Sequence, residues 1–312
     1  MKKDLAVLSL NQSELATSIA SKLSVPLLDI SFKKFPSNEF YIRLNDSVRG
    51  KEVFVVHSFT SNISDELMSL FILLDCLKRS FAETVHLFIP YMPYARQDRV
   101  SEPREPISAK LLASLLDTAG ADHVISCELH SPQIQGFFSK PMDNINLLKL
   151  FAHYLKSTDL SNSVVIAPDM GGAKLAKALG DKLGLEIAIL HKSRPSHGKA
   201  EINQIVGDVA GKNCIIIDDM VDTGGSVSKA FEALKSKGAL DISLAFIHPV
   251  LSDGALLKLD KIGFKEMIVT NSLPLDNVKL STAIEILDLS ELIADVFSKI
   301  TNNESVTQTL DV

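Results

Sequence analysis

Residues 215–226 read Ile-Ile-Ile-Asp-Asp-Met-Val-Asp-Thr-Gly-Gly-Ser. The order is a buried strand, an acidic pair, a turn of small residues and a helix start, and each part has a chemical use. Gly224 and Gly225 lack a Cβ, so the backbone can bend tightly and approach an anion. Thr223 and Ser226 offer hydroxyl donors, and the first N–H groups of the following helix add more, with the helix dipole favouring a phosphate. Asp218 and Asp219, at the carboxyl end of the strand, are acceptors suited to the vicinal hydroxyls of a sugar. In an open α/β sheet the carboxyl ends of the strands are where ligands bind. An ordinary solvated turn has no need of two adjacent aspartates after three isoleucines.

Further blocks carry groups of the same kind. Tyr94-Ala95-Arg96-Gln97-Asp98-Arg99 follows an apolar run and two prolines. Arg96 there gives a planar fork for phosphate or a base edge, and Gln97 adds a donor and an acceptor. Arg104–Lys110 then enters a helix. Glu128-Leu129-His130-Ser131 places a histidine at a strand end, and Ala167-Pro168-Asp169-Met170-Gly171-Gly172 ends a strand in an acid before two glycines. Leu190-His191-Lys192-Ser193-Arg194-Pro195 leaves a strand for a polar stretch running to about Asn203. Taken alone, His130 reads as an ordinary satisfied histidine, and Lys192 with Arg194 as a solvated charged loop. There is no Gly-x-x-x-x-Gly-Lys-Ser/Thr loop, so a nucleotide here is not held by a P-loop.

The elements that must position these groups repeat along the chain. Strands are expected at Leu5–Leu10, Val53–Val56, Val85–Ile89, His123–Leu129, Val164–Ala167, Ile187–Leu190, Cys214–Ile217 and Ile242–Phe246. Helices are expected from a capping box at Asn11-x-x-Glu14 to Leu23, through Leu67–Leu77, and over Ala109–Thr118, Lys174–Leu183 and Val227–Ser236. Short, wholly apolar strands alternating with helices indicate an α/β protein with parallel sheets covered on both faces. Phe40–Leu44 alternates instead, as a strand of a small side hairpin does. A boundary falls near Asn144–Leu150, giving domains 1–147 and 148–312, with the last helix expected to return to the first domain. The two halves read as a duplication, each with a strand ending in an acidic-polar cluster, Glu128–His130 and Asp218-Asp219. The tail Thr301–Val312 is polar and expected to fray in part.

Composition narrows the partners. The 312 residues carry 32 Lys and Arg against 38 Asp and Glu, a net charge of −6, which argues against a protein that replaces counterions on a nucleic-acid backbone. Hydrophobic residues are 46% and charged ones 22%, the balance of a folded globular chain. Lys2 and Lys3 precede Asp4 and an apolar run too short for a signal peptide, and no segment approaches a membrane span. The three cysteines, Cys76, Cys127 and Cys214, lack metal spacing and read as reduced residues of a cytoplasmic protein.

Together these blocks resemble the ribose-phosphate pyrophosphokinase family, the phosphoribosyl pyrophosphate (PRPP) synthetases, from about Leu5 to the Glu304-Ser305-Val306 tail. The resemblance implies two phosphoribosyltransferase-type domains, each a mostly parallel sheet with helices on both faces. It implies transfer of the diphosphoryl group of ATP to the 1-hydroxyl of ribose 5-phosphate. By the same resemblance Phe35 stacks on adenine, and Ser37, Asn38, Glu39, Arg96 and Gln97 bind ATP. His130 and Asp169 would contact Mg²⁺, and Lys192 and Arg194 would be catalytic. Arg194, Asp218, Asp222, Thr223, Gly224, Gly225 and Ser226 would bind ribose 5-phosphate. A homo-oligomer, hexamer or smaller, is implied as well.

Four departures stand out. Ser37-Asn38-Glu39 occupies the place of the family's usual Asp-Gly-Glu, which removes a carboxylate and asks Asn38 for the left-handed conformation glycine favours. Glu128 replaces the usual Asp before Leu129-His130, and Ser193 stands between the catalytic pair where Arg is common. The stretch between Arg99 and Arg104 is more acidic and shorter than is common. Two other readings stay open on sequence. A nucleobase phosphoribosyltransferase would share the Asp218–Ser226 segment, and a non-catalytic regulatory partner of a synthetase would share the fold. With Pro195 and Gly198, the stretch after Leu190 is expected to be a loop that closes over substrates.

Overall fold

The computed structural model describes residues 4–11, 13–60, 62–196, 199–275 and 279–306, with the backbone alone for 192–196, 199–203 and 253. In chain order the elements are β1 (Leu5–Leu8), α1 (Glu14–Leu23), β2 (Leu27–Leu28), β3 (Ile30–Lys34), β4 (Phe40–Leu44), β5 (Glu52–Val56), α2 (Ile63–Arg79), β6 (Thr84–Phe88), α3 (Ser108–Ala119), β7 (His123–Cys127) and β8 (Met142–Ile145). They continue as α4 (Leu148–Lys156), β9 (Ser163–Ala167), α5 (Ala173–Leu183), β10 (Glu186–Ser196), β11 (Lys199–Val206), β12 (Asn213–Val221), α6 (Gly225–Ser236), β13 (Ile242–Pro249), α7 (Ala255–Asp260), β14 (Glu266–Thr270), β15 (Ala283–Leu287) and α8 (Ser290–Thr301). The chain forms two compact units. The first comprises Met1–Asn146, Ser272–Pro274 and Asp288–Val312, and the second Leu147–Asn271 and Leu275–Leu287.

The first unit is built on a six-stranded sheet in the order β2-β1-β5-β6-β7-β8, parallel throughout. All five residues of β5 are buried, as a strand covered on both faces requires. Leu70, Leu73, Leu74 and Leu77 of α2 are wholly buried. Phe54 of β5 stacks on Phe297 of α8 at 4.0 Å between ring centroids. The side hairpin is present as β3 and β4, an antiparallel pair outside the sheet.

The second unit holds a seven-stranded sheet, β11-β10-β9-β12-β13-β14-β15, in which only β11 runs antiparallel. Its core joins Val164, Ile166, Leu190, Ile216, Leu244 and Phe246 of the strands to Val227, Leu234 and Leu259 of the helices. With the two hairpin excursions set aside, both sheets wind in the same order, 2-1-3-4-5-6 counted along each unit. The duplication therefore lies in the winding. The two acidic clusters are not its equivalent points, because β7 is the fifth strand of its sheet and β12 the third.

Three local expectations are corrected. Ser13, not Asn11, caps α1, its hydroxyl accepting from Ala16 N–H at 3.2 Å, while Asn11 donates to Ser58 O. Residues 191–196 are strand, not loop: β10 runs on to Ser196 and pairs with β11, with register shifts after His191 and Ser193. Gly198, counted with that loop, lies outside the described residues. β12 also runs past the acidic pair to Val221, because Asp218 and Met220 keep pairing with Phe246 and His248 of β13. Of the tail expected to fray, residues 307–312 lie outside the described residues, and Thr301 closes α8. Cys127 and Cys214 are buried, which pushes the Cys127 thiol well up and that of Cys214 to about 11.

Candidate active site

Residues 222–224 form the turn that follows β12, and Gly225 and Ser226 are already the first helical residues of α6. Gly224 caps the helix at φ 74°, in the left-handed region, and a Cβ there would stand 3.2 Å from the Leu259 side chain. That one glycine is required by the backbone. Gly225 has room for a Cβ, its nearest neighbour being Thr223 Oγ1 at 3.7 Å, so its smallness leaves open space above the turn. Thr223, Gly225 and Ser226 are exposed, and Ser228 donates both its N–H and its hydroxyl back to Gly224 O.

Beneath the turn the acids crowd one another. Asp219 N–H donates to Asp218 Oδ1 at 3.0 Å. Burial, then the charges of Asp219 and Asp169, push the Asp218 carboxyl well above the usual range. The structure thus brings Asp169 and Asp218 together, as adjacent strands β9 and β12 require. Asp169 sits just past β9, where its Oδ1 accepts from Gly171 N–H at 2.9 Å and Gly172 N–H at 3.3 Å. Lys192 and Arg194 lie on β10, whose start pairs in parallel with β9.

In the first unit the candidates fall in two places. At the carboxyl edge of the sheet, Arg96-Gln97 follows β6 and Glu128–His130 follows the neighbouring β7. Arg96, Gln97 and His130 are exposed. Tyr94, at φ 61°, opens a turn closed by Gln97 N–H on Tyr94 O. Glu128 takes φ 36°, its N–H donating to Ile145 O, and Leu129 N–H donates to Asn144 Oδ1 at 2.9 Å. With Leu129 buried and its amide held by β8, the next residue, His130, is turned out to the surface.

The other place is the tip of the β3–β4 hairpin. Phe35 and Glu39 close it backbone to backbone, and Asn38 N–H donates to Phe35 O at 2.8 Å. Asn38 takes the left-handed conformation, φ 67°, as its position demands. Ser37 donates to Glu39 Oε2 at 2.9 Å, so the serine in the family's usual aspartate position binds the neighbouring carboxylate. Phe35 is 47% exposed, edge-on to Tyr41, which excludes a core role.

Three residues that position these turns were not singled out for that role by sequence reasoning. Asn144 holds the His130 turn, Ser108 binds Gln97, and Lys110 Nζ donates to Phe137 O at 2.6 Å just beyond His130. Ser108 and Lys110 sit in a quoted block, but their partners are set by tertiary structure. Among the described residues no helix is long and apolar enough to cross a membrane.

Known proteins resemble the chain over nearly its whole length. The profile of the N-terminal domain of ribose phosphate pyrophosphokinase matches residues 5–120, and that of the phosphoribosyl synthetase-associated domain matches residues 195–310. The ribose-phosphate pyrophosphokinase of Fusobacterium nucleatum is 42% identical over 297 residues, 95% of this chain and 94% of that protein. That of Bacillus caldolyticus is 41% identical over 308 residues, 98% of each chain. The crystal structure of phosphoribosylpyrophosphate synthetase from Mycobacterium smegmatis aligns with a TM-score of 0.91 and 38% identity, covering 96% of this chain and all (100%) of that one.

Proposed function

The chain belongs to the ribose-phosphate pyrophosphokinase family, and from that premise we propose how its own residues carry the reaction. It transfers the diphosphoryl group of ATP to the 1-hydroxyl of ribose 5-phosphate, giving PRPP and AMP. The sugar oxygen attacks the β-phosphorus, the bond from that phosphorus to the α,β-bridging oxygen breaks, AMP departs, and the hydroxyl proton is released. The attacking group belongs to the substrate. What remains for the protein is alignment and neutralisation of charge.

Gly224, Gly225, Thr223 and Ser226 would cradle the 5-phosphate at the start of α6, with Asp218 and Asp222 on the sugar hydroxyls. Phe35, Ser37, Asn38 and Glu39 of the hairpin tip and Arg96 and Gln97 of the sheet edge would take ATP. Lys192 and Arg194 would neutralise the transferring group, with Arg194 also touching ribose 5-phosphate. The donor set fits Mg²⁺. Among the described residues no three His, Cys, Asp or Glu form a closed cage, and Mg²⁺ is ordinarily held by one or two carboxylates and substrate phosphates. His130 and Asp169 would hold it, and its chemistry is to neutralise charge on the phosphate oxygens. The same reading takes the protein as a cytoplasmic homo-oligomer, hexamer or smaller, that binds neither nucleic acid nor membrane.

The observation that carries the assignment within this chain is the β12–α6 turn, with Gly224 at φ 74° and exposed Thr223, Gly225 and Ser226 beside crowded aspartates. A nucleobase phosphoribosyltransferase has use for that turn but none for a first unit that matches the synthetase profile over residues 5–120. A non-catalytic partner has no use for Lys192, Arg194, His130 and Asp169 together. The test is incubation of the purified chain with ATP, Mg²⁺ and ribose 5-phosphate, measuring AMP and PRPP. Lys192→Ala is expected to keep the fold and lower the rate by about 10³-fold or more. Activity within tenfold of the unsubstituted protein would sink the assignment of Lys192.

A further inference from the structure

The start of α3 lacks an ordinary cap. Ile107 stands at the N-cap with no side-chain hydrogen bond to give, so the first N–H groups of the helix need another acceptor. Gln97 supplies it. Its backbone carbonyl accepts from Ala109 N–H at 3.2 Å, and its side-chain Oε1 accepts from the Ser108 hydroxyl at 2.5 Å. Each oxygen of Gln97 thereby accepts a bond from the same turn of helix, which turns the side-chain carbonyl toward α3. The amide N–H₂ is the group it has left to present, on an exposed side chain.

We propose that Ser108 is a positioning residue for the nucleotide site: it fixes the Gln97 amide so that Gln97 meets its ligand only as a hydrogen-bond donor. The group opposite is then an acceptor on the nucleoside triphosphate, a ring nitrogen or a phosphate oxygen. The inference rests on the placing of Gln97 in the ATP site. Without the Ser108 hydroxyl the amide can rotate and offer its oxygen to the ligand, where acceptor would face acceptor. The hydroxyl touches no substrate. Its effect reaches the ligand only through Gln97, and that dependence is measurable.

The experiment uses the full chain with ATP, Mg²⁺ and ribose 5-phosphate. Ser108→Ala is expected to raise KM for ATP about fivefold, the scale of one hydrogen bond. Its kcat and Tm stay near those of the parent, and Ser108→Thr restores the KM. In a Gln97→Ala background Ser108→Ala adds nothing further. Gln97→Glu keeps an acceptor for Ser108 but has no N–H₂, and is expected to bind ATP no better than Gln97→Ala. An equal rise in KM from Ser108→Ala in the Gln97→Ala background would overturn the positioning role and leave Gln97 in the site. A parental KM in Gln97→Glu would overturn the donor assignment. A parental KM in Gln97→Ala would remove Gln97 from the ATP site, and the proposal would fall with it.

Discussion

The β5–α2 turn of the first unit and the β12–α6 turn of the second follow the third strand of sheets that wind in the same order, yet they are filled differently. In the first, His57, Ser58 and Phe59 are buried, and Glu66 of α2 reaches back over the turn. Thr60 N–H donates to Glu66 at 3.0 and 3.2 Å to its two oxygens, the Thr60 hydroxyl donates as well, and His57 Nε2 lies 3.1 Å away. In the second, Thr223, Gly225 and Ser226 are exposed, and the residue at the helical position of Glu66 is Ser228. One turn holds a carboxylate of its own chain where the other presents donors to solvent. The same strand-to-helix geometry thus serves as an internal fastening in one unit and as a candidate anion site in the other.

The comparison can be broken most severely by exchanging the occupant. Ser228→Glu puts a carboxylate four residues into α6, where Glu66 stands in α2, and sets it against a phosphate at the turn. Two like charges about 4 Å apart near a surface repel by about 4 kcal/mol. KM for ribose 5-phosphate is therefore expected to rise about 10²–10³-fold with circular dichroism unchanged, and an unchanged KM would show that no anion sits there.

A smaller effect follows from the backbone. Gly224→Val must hold a β-branched residue at φ 74° against Leu259 and is expected to cost about 1–3 kcal/mol of stability and to weaken ribose 5-phosphate binding. Equal stability in thermal melts would mean the turn relaxes and the glycine is not required.

Glu66→Gln is the mildest and tests the other unit. Burial pushes the Glu66 carboxyl up, but the close approach of His57 and the hydrogen bonds from Thr60 outweigh it and leave it below the usual range. A carboxylate depressed by folding stabilises fully above its unfolded value, about 4.3, and that contribution is lost as pH falls below it. Glu66→Gln should cost about 1 kcal/mol at neutral pH and flatten the fall in stability below pH 4, with KM for ribose 5-phosphate unchanged. A rise in that KM would dissolve the distinction between the two turns.

The elements legible in the sequence are those whose residues are buried for their whole length. β5, β9 and the first half of β12 show as apolar runs because both faces are covered. The Asp218–Ser226 segment was equally plain, because glycines and aspartates after isoleucines have few structural reasons to be there. The polar end of β10 was hidden, since its pairing with β11 gives no apolar period to read. The cap of α1 misled because Asn11 and Ser13 are both good caps, and only Ser58 decides that Asn11 bonds elsewhere. Contacts such as Ser108 with Gln97 and Glu66 with Thr60 depend on which turn a helix start faces. No local pattern carries that.

Phe54 and Phe297, stacked at 4.0 Å, belong to one core although the whole second unit is translated between them. Domains generally fold in the order of their synthesis. Here the second unit is nearly continuous in sequence and can close first, while the sheet of the first unit waits with Phe54 and Phe88 uncovered until α8 leaves the ribosome. A chain halted before Ser290 would therefore carry a complete second unit beside an open first one, exposing apolar surface for chaperones and proteases to find. The returning helix makes assembly of one half a readout that translation has passed through both.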